Sequence, residues 1–408
     1  MSLNNLSSVS VPQPNALSVW TDDPYRQNQD SPPARPLKIL TCLHSFDPGG
    51  VERVALRLNN AWHELGADVR LVIGRNSDAA RAGINGLARD LPYEIIPDGE
   101  HINRRTQLAW MLRHLPPIIR RERPDVLFCA GNTYSSVSVG MKLILGRACP
   151  PIVAKVSNDL DRRDMGPVLR FFYHRWLRAQ AGFIDCYVGM APAMADEIAR
   201  ATGLGRDRIA IVNDPILRRS ELARFAGIHV ARDNASAGRH FVAIGRMKPQ
   251  KNFALLLRAF GRMATPADRL TILGDGPERA MLEGLVTTLG IANRVAMPGH
   301  VSDLAAWLVD ADVFVMSSDY EGVPAVLIEA IAANLAVVAT DCSVSMRDLV
   351  GGGAFGQLVP VGDEAALAAA MAEAPRNQRD HEAALEHARH FTLEQGAADY
   401  LALMRAIA

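Results

Sequence analysis

The 408-residue sequence has few cysteines, no excess charge of either sign and a low aromatic content of 6%. The cysteines are odd in number and lie far apart, at Cys42, Cys129, Cys149, Cys186 and Cys342. This pattern argues against a disulfide framework or a zinc site and predicts reduced thiols in the core. The 44 basic residues balance the 44 acidic ones, so binding to nucleic acid is not expected, and only a local basic face would meet a phosphate-rich surface.

Long apolar runs and targeting signals are also missing. No run approaches the roughly 18 apolar residues of a membrane-spanning helix, and the N-terminus lacks the order of basic then apolar residues typical of a signal peptide. These absences predict a cytoplasmic protein. Residues 1–35 are rich in Ser, Asn, Gln and Pro without periodicity, which predicts a disordered N-terminal segment.

Short β-rich runs alternate with helical stretches along the rest of the chain. Seven runs, from LKILTCL at residue 37 to RIAIVND at residue 208, precede a pause over residues 216–239 that ends in a linker-like polar cluster. Six more follow, from HFVAIGR at residue 240 to GQLVP at residue 356. This rhythm predicts an α/β protein of two doubly wound, Rossmann-like domains, whose ligand would lie in the cleft between them. We expect these domains over residues 36–215 and 216–380, and a C-terminal helix over 381–408 that packs back on the N-terminal domain.

Three loops follow predicted strands, at the sheet edge where open α/β proteins bind ligands. In FDPGGVER, Gly49 and Gly50 would let backbone N–H groups approach a phosphate or a sugar at the start of a helix. A plain tight turn would need the same glycines, and the loop lacks the G-x-G-x-x-G order of a dinucleotide fold. His44, at the end of the same strand, is a second candidate contact, with a structural strand-end role as the alternative.

The second loop is GRMKPQKN. Gly245 ends a strand, and Arg246 and Lys251 flank a polar turn. A guanidinium and an ammonium at one strand end suit a diphosphate, because the first offers a fixed fork of donors and the second a point charge. Solvated loop charges are the alternative.

The third loop opens EGVPAVLIEAIAAN. Glu321 lies in a polar turn with Gly322 and Val323 after it, and Pro324 suits the first turn of a helix. The free N–H groups there favour an anion or a sugar hydroxyl. Glu329 falls about one and a half turns into this helix, where its carboxylate can accept hydrogen bonds from the vicinal hydroxyls of a ribose; alternatively it lies on the hydrated face of a surface helix.

Together these motifs resemble the retaining glycosyltransferases of the GT-B fold, glycosyltransferase family 4 (group 1), over about residues 37–365. EGVPAVLIEAIAAN matches the family's E-G-x-P-x-x-x-x-E-A-x-A signature, and GGVER, GRMKPQKN, LGDGPER, NRVAMPGHVSD and GQLVPVGD follow the family's order. The resemblance implies transfer of a hexosyl unit from a nucleotide diphosphate sugar to an acceptor hydroxyl. It also implies a retained anomeric configuration and no need for a metal ion or other cofactor.

The resemblance assigns roles to matching positions only. It implies that Arg246 and Lys251 neutralise the diphosphate leaving group, that Glu321 lies beside the transferred sugar, and that Glu329 binds the ribose. The backbone contacts that it implies to the donor are at Gly322, Val323 and, from the other domain, Gly50. Many family members carry histidines where this chain has GNTYSS and SNDLDRR. The candidates for polar contacts to sugar or acceptor there are Asn132, Asn158 and Asp159.

Two stretches of the first domain, residues 104–123 and 162–178, mix basic and apolar residues. This mixture favours an anionic bilayer surface, although ordinary amphipathic helices that cover a sheet show it too. On the first interpretation the protein would be peripheral on the inner face of the cytoplasmic membrane. Its acceptor would then be a lipid-linked glycan in the assembly of a bacterial surface polysaccharide or lipopolysaccharide.

Two other functions are compatible with a two-domain α/β chain. One is a non-catalytic nucleotide-sugar binding subunit of a glycan assembly complex, which the joint presence of Arg246, Lys251, Glu321 and Glu329 disfavours. The other is a nicotinamide dehydrogenase, which is disfavoured because no strand end shows G-x-G-x-x-G followed by an acidic residue. The nucleotide base, the sugar and the linkage stay open at this point.

Overall fold

The structure is a computed structural model that describes residues 35–45, 50–75, 91–96, 107–157, 160–161, 165–227, 238–301, 303–376, 378 and 380–408. It divides into two compact units. The first comprises the described residues up to Pro215 together with Leu393–Ala408, and the second comprises Ile216–Thr392. Residues 1–34 of the segment predicted to be disordered, residues 1–35, lie outside the described residues, as do the candidates Gly49, Asn158 and Asp159.

The first unit is built on a seven-stranded parallel sheet with the strand order β3-β2-β1-β4-β5-β6-β7. Its strands are β1 (Lys38–Ser45), β2 (Asp68–Arg75), β3 (Tyr93–Ile95), β4 (Val126–Cys129), β5 (Ile152–Lys155), β6 (Cys186–Gly189) and β7 (Ile209–Ile211). Its helices are α1 (Gly50–Glu64), α2 (Gln107–Glu122), α3 (Ser135–Leu145), α4 (Pro167–Ala181), α5 (Pro192–Thr202) and the last helix of the chain, α14 (Leu393–Ile407).

Helix α14 completes the core of the first unit. The Nε1 group of Trp62 in α1 donates a hydrogen bond to the carbonyl of Ala397 in α14 over 3.2 Å. The Trp62 ring packs edge-on against Phe128 and Tyr400, with ring centroids 4.9 and 5.9 Å away. These three rings are fully buried, and aromatic pairs of this kind stabilise a core beyond the area that they bury.

The second unit holds a six-stranded parallel sheet with the order β10-β9-β8-β11-β12-β13. Its strands are β8 (His240–Ile244), β9 (Arg269–Leu273), β10 (Val295–Gly299), β11 (Val313–Met316), β12 (Ala336–Thr340) and β13 (Gln357–Val359). Its helices are α6 (Arg219–Ala226), α7 (Phe253–Met263), α8 (Arg279–Thr288), α9 (Leu304–Leu308), α10 (Ala325–Ala332), α11 (Met346–Leu349), α12 (Glu364–Glu373) and α13 (His381–Arg389).

The C-terminal segment differs from the single helix predicted over residues 381–408. It forms two helices, α13 in the second unit and α14 in the first. The chain breaks at Phe391, whose carbonyl accepts hydrogen bonds from the backbone N–H groups of Ile216 and Leu217 over 2.9 and 3.2 Å. Because that carbonyl is used outside the helix, the helical hydrogen-bond ladder stops there.

The stretch predicted as a pause at residues 216–239 is partly ordered. Helix α6 occupies its first half, and the Glu221 carboxylate accepts a hydrogen bond from the Arg218 backbone N–H over 2.6 Å at the helix start. Leu222 and Phe225 are buried in the core of the second unit. The polar cluster that suggested a linker, residues 228–237, lies outside the described part of the chain.

All five cysteines are buried, which confirms that they lie in the core, and none of them is paired in a disulfide. Among the helices that the structure describes, none combines the length and the apolar character needed to cross a membrane.

Candidate active site

Two loops of the second unit run side by side where strands β8 and β9 end. The Gly245 N–H donates to the Leu273 carbonyl over 2.9 Å, and the Met247 N–H donates to the Asp275 carbonyl over 2.9 Å. Gly274 makes this approach possible, because a Cβ there would lie only 2.0 Å from the Gly245 carbonyl oxygen, and its φ of +129° disfavours other residues. The backbone after β8 is therefore held in place by its neighbour.

The loop after β8 is also tied to the loop after β11. The Asp319 N–H donates to the Gln250 carbonyl over 2.8 Å, and the Ser317 hydroxyl donates to the Lys251 carbonyl over 2.9 Å. The Asn252 side chain donates to the Asp319 carboxylate over 2.8 Å. These bonds hold Lys251 from both sides. Sequence reasoning did not find this set, because no local signal pairs polar residues of two separate strand-end loops.

Lys251 and Glu321 meet at this edge of the sheet. The Lys251 Nζ lies 2.6 Å from Glu321 Oε1, and the two side chains are only 18% and 11% exposed. Gly245 leaves room for the lysine, because a Cβ there would lie 2.9 Å from Lys251 Cε. Arg246 is exposed on the same loop. Of the predicted donor-site residues, Lys251 and Glu321 thus form one partly buried ion pair, Gly245 packs against the lysine, and Arg246 lies on the same loop.

A buried thiol lies near this pair. Burial, with a smaller contribution from the charge of Glu321, raises the pKa of Cys342 to about 12. The thiol is therefore protonated at neutral pH and does not serve as a nucleophile or metal ligand. Among the residues that the structure describes, no group of three His, Cys, Asp or Glu side chains is placed to hold a metal ion.

Helix α10 follows the Glu321 turn. Gly322 is buried, and its carbonyl accepts a hydrogen bond from the Ser343 hydroxyl over 3.0 Å. Pro324 is the N-cap, and within the described residues no side chain caps the first turn. The start of this helix therefore has backbone N–H groups suited to an anion or a sugar hydroxyl.

Glu329 lies on a narrow accessible stripe of α10. The buried residues of this helix are Leu327, Ile328, Ala330, Ile331 and Ala332. Ala325, Val326 and Glu329 are not buried, and at helical spacing they share one side. Val323 is partly buried and packs against the same core. The helix thus has no broad hydrated face. Glu329 lies on the same narrow accessible side as Ala325 and Val326 in the first turn of the helix.

The first unit brings together three chain segments at the carboxyl ends of β1, β4 and β5. A Cβ on Gly131 would lie 2.9 Å from both Ser157 Oγ and Val51 Cγ1. The Asn132 side-chain oxygen accepts a hydrogen bond from the Ser157 N–H over 3.1 Å, so it holds the next loop in place. Gly50 begins α1, and His44 lies in β1 with its side chain outside the description. The ligand contacts of these residues stay predictions.

One buried carboxylate of the first unit escaped sequence reasoning. Glu197 in α5 accepts hydrogen bonds from the Leu160 and Asp161 N–H groups over 2.6 and 2.9 Å. Burial raises its pKa. Through its two hydrogen bonds Glu197 holds the end of the loop that contains two candidates outside the described residues, Asn158 and Asp159. In the sequence Glu197 is recognisable only as one acidic residue of an amphipathic helix.

Comparison with known proteins identifies both units. Residues 49–214 match the family model "Glycosyl transferase 4-like domain", and residues 238–377 match "Glycosyl transferases group 1". The lipopolysaccharide core biosynthesis glycosyltransferase LpsE of Rhizobium meliloti is 29% identical over 338 residues, which cover 81% of this chain and 87% of the relative. A Campylobacter jejuni relative, N-acetylgalactosamine-N,N'-diacetylbacillosaminyl-diphospho-undecaprenol 4-alpha-N-acetylgalactosaminyltransferase, is 35% identical over 132 residues, 32% of this chain and 36% of the relative.

Solved structures show the same fold. The apo form of the lipopolysaccharide outer core galactosyltransferase WaaB aligns with a TM-score of 0.71 at 16% identity, over 90% of this chain and 98% of the other. Anabaena Alr3699/HepE in complex with UDP aligns with a TM-score of 0.68 at 18% identity, over 90% and 100% of the two chains. These likenesses confirm the predicted fold class of two parallel-sheet α/β domains. The chain is therefore a glycosyltransferase of the GT-B fold, in which a glycosyl transferase 4-like domain precedes a group 1 glycosyl transferase domain.

Proposed function

We propose that this glycosyltransferase moves a hexosyl unit from a nucleotide diphosphate sugar to a hydroxyl of a lipid-linked glycan, with retention and without a metal ion. The observation that carries this proposal is the Lys251–Glu321 pair beside the start of α10. A cation, a carboxylate and the N–H groups of a helix start thus lie together at the carboxyl ends of the strands. These are the groups that bind a sugar diphosphate. The name of the C. jejuni relative includes a diphospho-undecaprenol, and that of the R. meliloti relative includes the lipopolysaccharide core.

The donor diphosphate lies between Lys251 and Arg246 in this proposal. The Lys251 ammonium has three N–H donors, and Glu321 takes one of them. The others reach phosphate oxygens without breaking the pair. Glu321 then faces hydroxyls of the transferred sugar, and Glu329 accepts hydrogen bonds from the ribose. The proposal also includes backbone contacts to the donor at Gly49, Gly50, Gly245, Gly322 and Val323.

In the chemical step the bond between the anomeric carbon and the diphosphate oxygen breaks, and its electron pair leaves with the nucleoside diphosphate. The acceptor oxygen forms the new bond from the same face of the sugar, and its proton passes to a phosphate oxygen of the leaving group. Lys251 and Arg246 stabilise the negative charge that develops on the diphosphate, in a site that needs no rearrangement to do so. Positioning of the acceptor supplies a further part of the acceleration.

Product stereochemistry tests this proposal. We expect an α-linked donor sugar to yield an α-linked product on a polyprenyl diphosphate-linked glycan, as read from the anomeric coupling constant by NMR. We also expect the rate to be unchanged by EDTA. A β-linked product would overturn retention, and a rate that EDTA abolishes and magnesium restores would overturn metal independence.

The membrane surface proposed for this enzyme is the outward face of α4. Five apolar side chains on this face are exposed: Val168 (71%), Leu169 (61%), Phe171 (61%), Phe172 (63%) and Trp176 (44%). The residues that anchor the helix, by contrast, are buried, namely Leu177, Gln180 and Ala181. Arg175 and Arg178 are exposed beside the aromatic rings. In α2, by contrast, Met111, Leu115, Ile118 and Ile119 pack in the core. Of the two candidate stretches, residues 162–178 are therefore the ones that support peripheral binding on the cytoplasmic side.

Vesicle sedimentation tests this surface. We expect binding to vesicles that contain phosphatidylglycerol and little binding to phosphatidylcholine alone. Phe172→Glu is expected to weaken binding about tenfold, because it removes an aromatic contact and adds repulsion from anionic headgroups. The control is Met281→Glu, at an exposed apolar residue of α8 in the second unit. Equal binding by both variants would contradict the assignment to α4.

A further inference from the structure

A cavity of about 290 Å³ lies in the first unit beneath α4, at the carboxyl ends of β4 and β5. The residues that decide its chemistry are Asn132, Lys155, Tyr173, Trp176, Gln180 and Tyr187. Its volume is at the lower end of the roughly 300–1,000 Å³ range of sites that enclose drug-sized ligands. The space therefore suits a single sugar ring rather than a nucleotide.

Two buried polar groups of the cavity lining have no partner in the described part of the chain. Gln180 and Tyr187 are 3% and 4% exposed. The Gln180 side-chain oxygen and the Tyr187 hydroxyl have no hydrogen-bond partner among the residues that the structure describes. Burial raises the pKa of the Tyr187 phenol, so this group stays protonated. An unsatisfied buried polar group destabilises the fold, and its presence in a cavity lining indicates a ligand that pairs with it.

The charge of the lining favours a neutral ligand. The Lys155 ammonium contacts the Asp214 carboxylate over 2.5 Å, and these side chains are 4% and 9% exposed. Lys155 is therefore already neutralised and has no need of an anion. The Gln180 oxygen only accepts hydrogen bonds, so its partner must be a donor such as a hydroxyl. The rings of Tyr173 and Trp176 supply apolar contact area beside these polar groups.

The cavity and the outward face of α4 share one residue. Trp176 lines the cavity and is also 44% exposed. It lies on the same helix as Phe171 and Phe172, which face solvent. A ligand that fills the cavity can therefore continue past Trp176 onto an apolar surface.

We propose that this cavity binds the terminal sugar of an amphiphilic acceptor, a saccharide carried on an apolar chain. Gln180 and Tyr187 hydrogen-bond to the sugar hydroxyls, and the chain lies along the outward face of α4. This assignment rests on the proposed function, because it locates the acceptor of that reaction. On this proposal Gln180 and Tyr187 select the acceptor. The sequence motifs of the first unit had indicated only loop residues as ligand contacts.

Binding of octyl glycosides to the full chain tests the proposal through intrinsic tryptophan fluorescence. The probes are octyl glucoside, octyl galactoside and octyl N-acetylglucosaminide below their micelle-forming concentrations, with octanol as the apolar control. We expect at least one glycoside to bind more tightly than octanol. Tyr187→Phe and Gln180→Met are each expected to weaken that binding about three- to tenfold. Because neither group has a partner among the residues that the structure describes, the melting temperature of Tyr187→Phe is expected to stay equal or to rise.

Tyr400→Phe is the matched control. The Tyr400 hydroxyl is also buried without a partner in the described part of the chain, but Tyr400 does not line the cavity. We expect this variant to bind the glycoside as the wild type does. Equal losses in Tyr187→Phe and Tyr400→Phe, or no preference for any glycoside over octanol, would overturn the assignment.

Turnover separates this inference from the proposed function. If a glycoside binds as expected but no nucleotide sugar is turned over, the proposed function fails and the cavity assignment stands. If sugar is transferred to a lipid-linked acceptor with the same acceptor KM in wild type and Tyr187→Phe, the cavity assignment fails and the proposed function stands.

Discussion

Replacement of Lys251 by alanine is expected to lower kcat/KM about 10²–10³-fold, the usual effect of removing one preorganised donor from developing negative charge. The lysine is held in place by one backbone and one side-chain hydrogen bond to the loop after β11. Steady-state transfer kinetics measure the effect. The control is Lys248→Ala, an exposed cation three residues earlier on the same loop, for which little change is expected.

Stability must be separated from catalysis in this experiment. Lys251→Ala leaves Glu321 without its ion-pair partner at 11% exposure, which we expect to cost about 1–3 kcal/mol, less than for a fully buried pair. The double variant Lys251→Met/Glu321→Gln removes both charges, so it is expected to recover most of the melting temperature but not the activity. Recovery of activity together with stability would show that Lys251 has only a structural role.

Replacement of Glu329 by glutamine is expected to weaken donor binding about 10–100-fold, since each hydrogen bond to a charged group is worth about 1.5–3 kcal/mol. Glutamine keeps the size of the side chain and removes its charge, so the packing of α10 should be retained. Calorimetry of the donor measures the loss. Glu283→Gln on α8, an exposed carboxylate of the second unit, is the control and should bind the donor normally.

A 2′-deoxyribose analogue of the donor makes the Glu329 prediction specific. Wild type is expected to bind the analogue more weakly than the donor, because one proposed hydroxyl partner of Glu329 is gone. Glu329→Gln should discriminate much less between the two. Equal discrimination in wild type and variant would place the ribose away from Glu329.

The strands were predictable from the sequence for a physical reason. Parallel strands covered on both faces are buried throughout, so they read as continuous apolar runs. Strands β4 and β5 illustrate this, since every residue in them is buried. Each of the thirteen runs identified in the sequence overlaps one of the thirteen strands in the part of the chain that the structure describes. The same topology marks the loops after them as candidate ligand sites, and ligand binding there stays a prediction.

Contacts between distant loops were not predictable. The sequence marked Lys251 and Glu321 separately, as parts of two motifs 70 residues apart, and did not indicate that they form an ion pair. The Gln180 side-chain oxygen and the Tyr187 hydroxyl, which have no partner in the described part of the chain, were not predictable for a similar reason. An amphipathic helix and a buried strand show the same residue types whether or not a cavity lies between them. Such features depend on tertiary packing alone.

The orientation of α4 was also beyond the sequence. Apolar residues occur on more than one side of this helix, and periodicity does not say which side faces the sheet. The structure buries the side of Leu177 and Ala181 and exposes the side of Phe171 and Phe172. For this reason the sequence left a membrane surface and an ordinary covering helix as equal interpretations.

The central claim is that the strand ends of the second unit bind a nucleotide diphosphate sugar. The most direct test is calorimetry of UDP-glucose, UDP-galactose, UDP-N-acetylglucosamine and GDP-mannose with the wild-type chain in metal-free buffer. We predict that one of these donors binds clearly more tightly than the others, and that its binding is weakened by Glu329→Gln. Absence of binding by all four donors would contradict the account of this site.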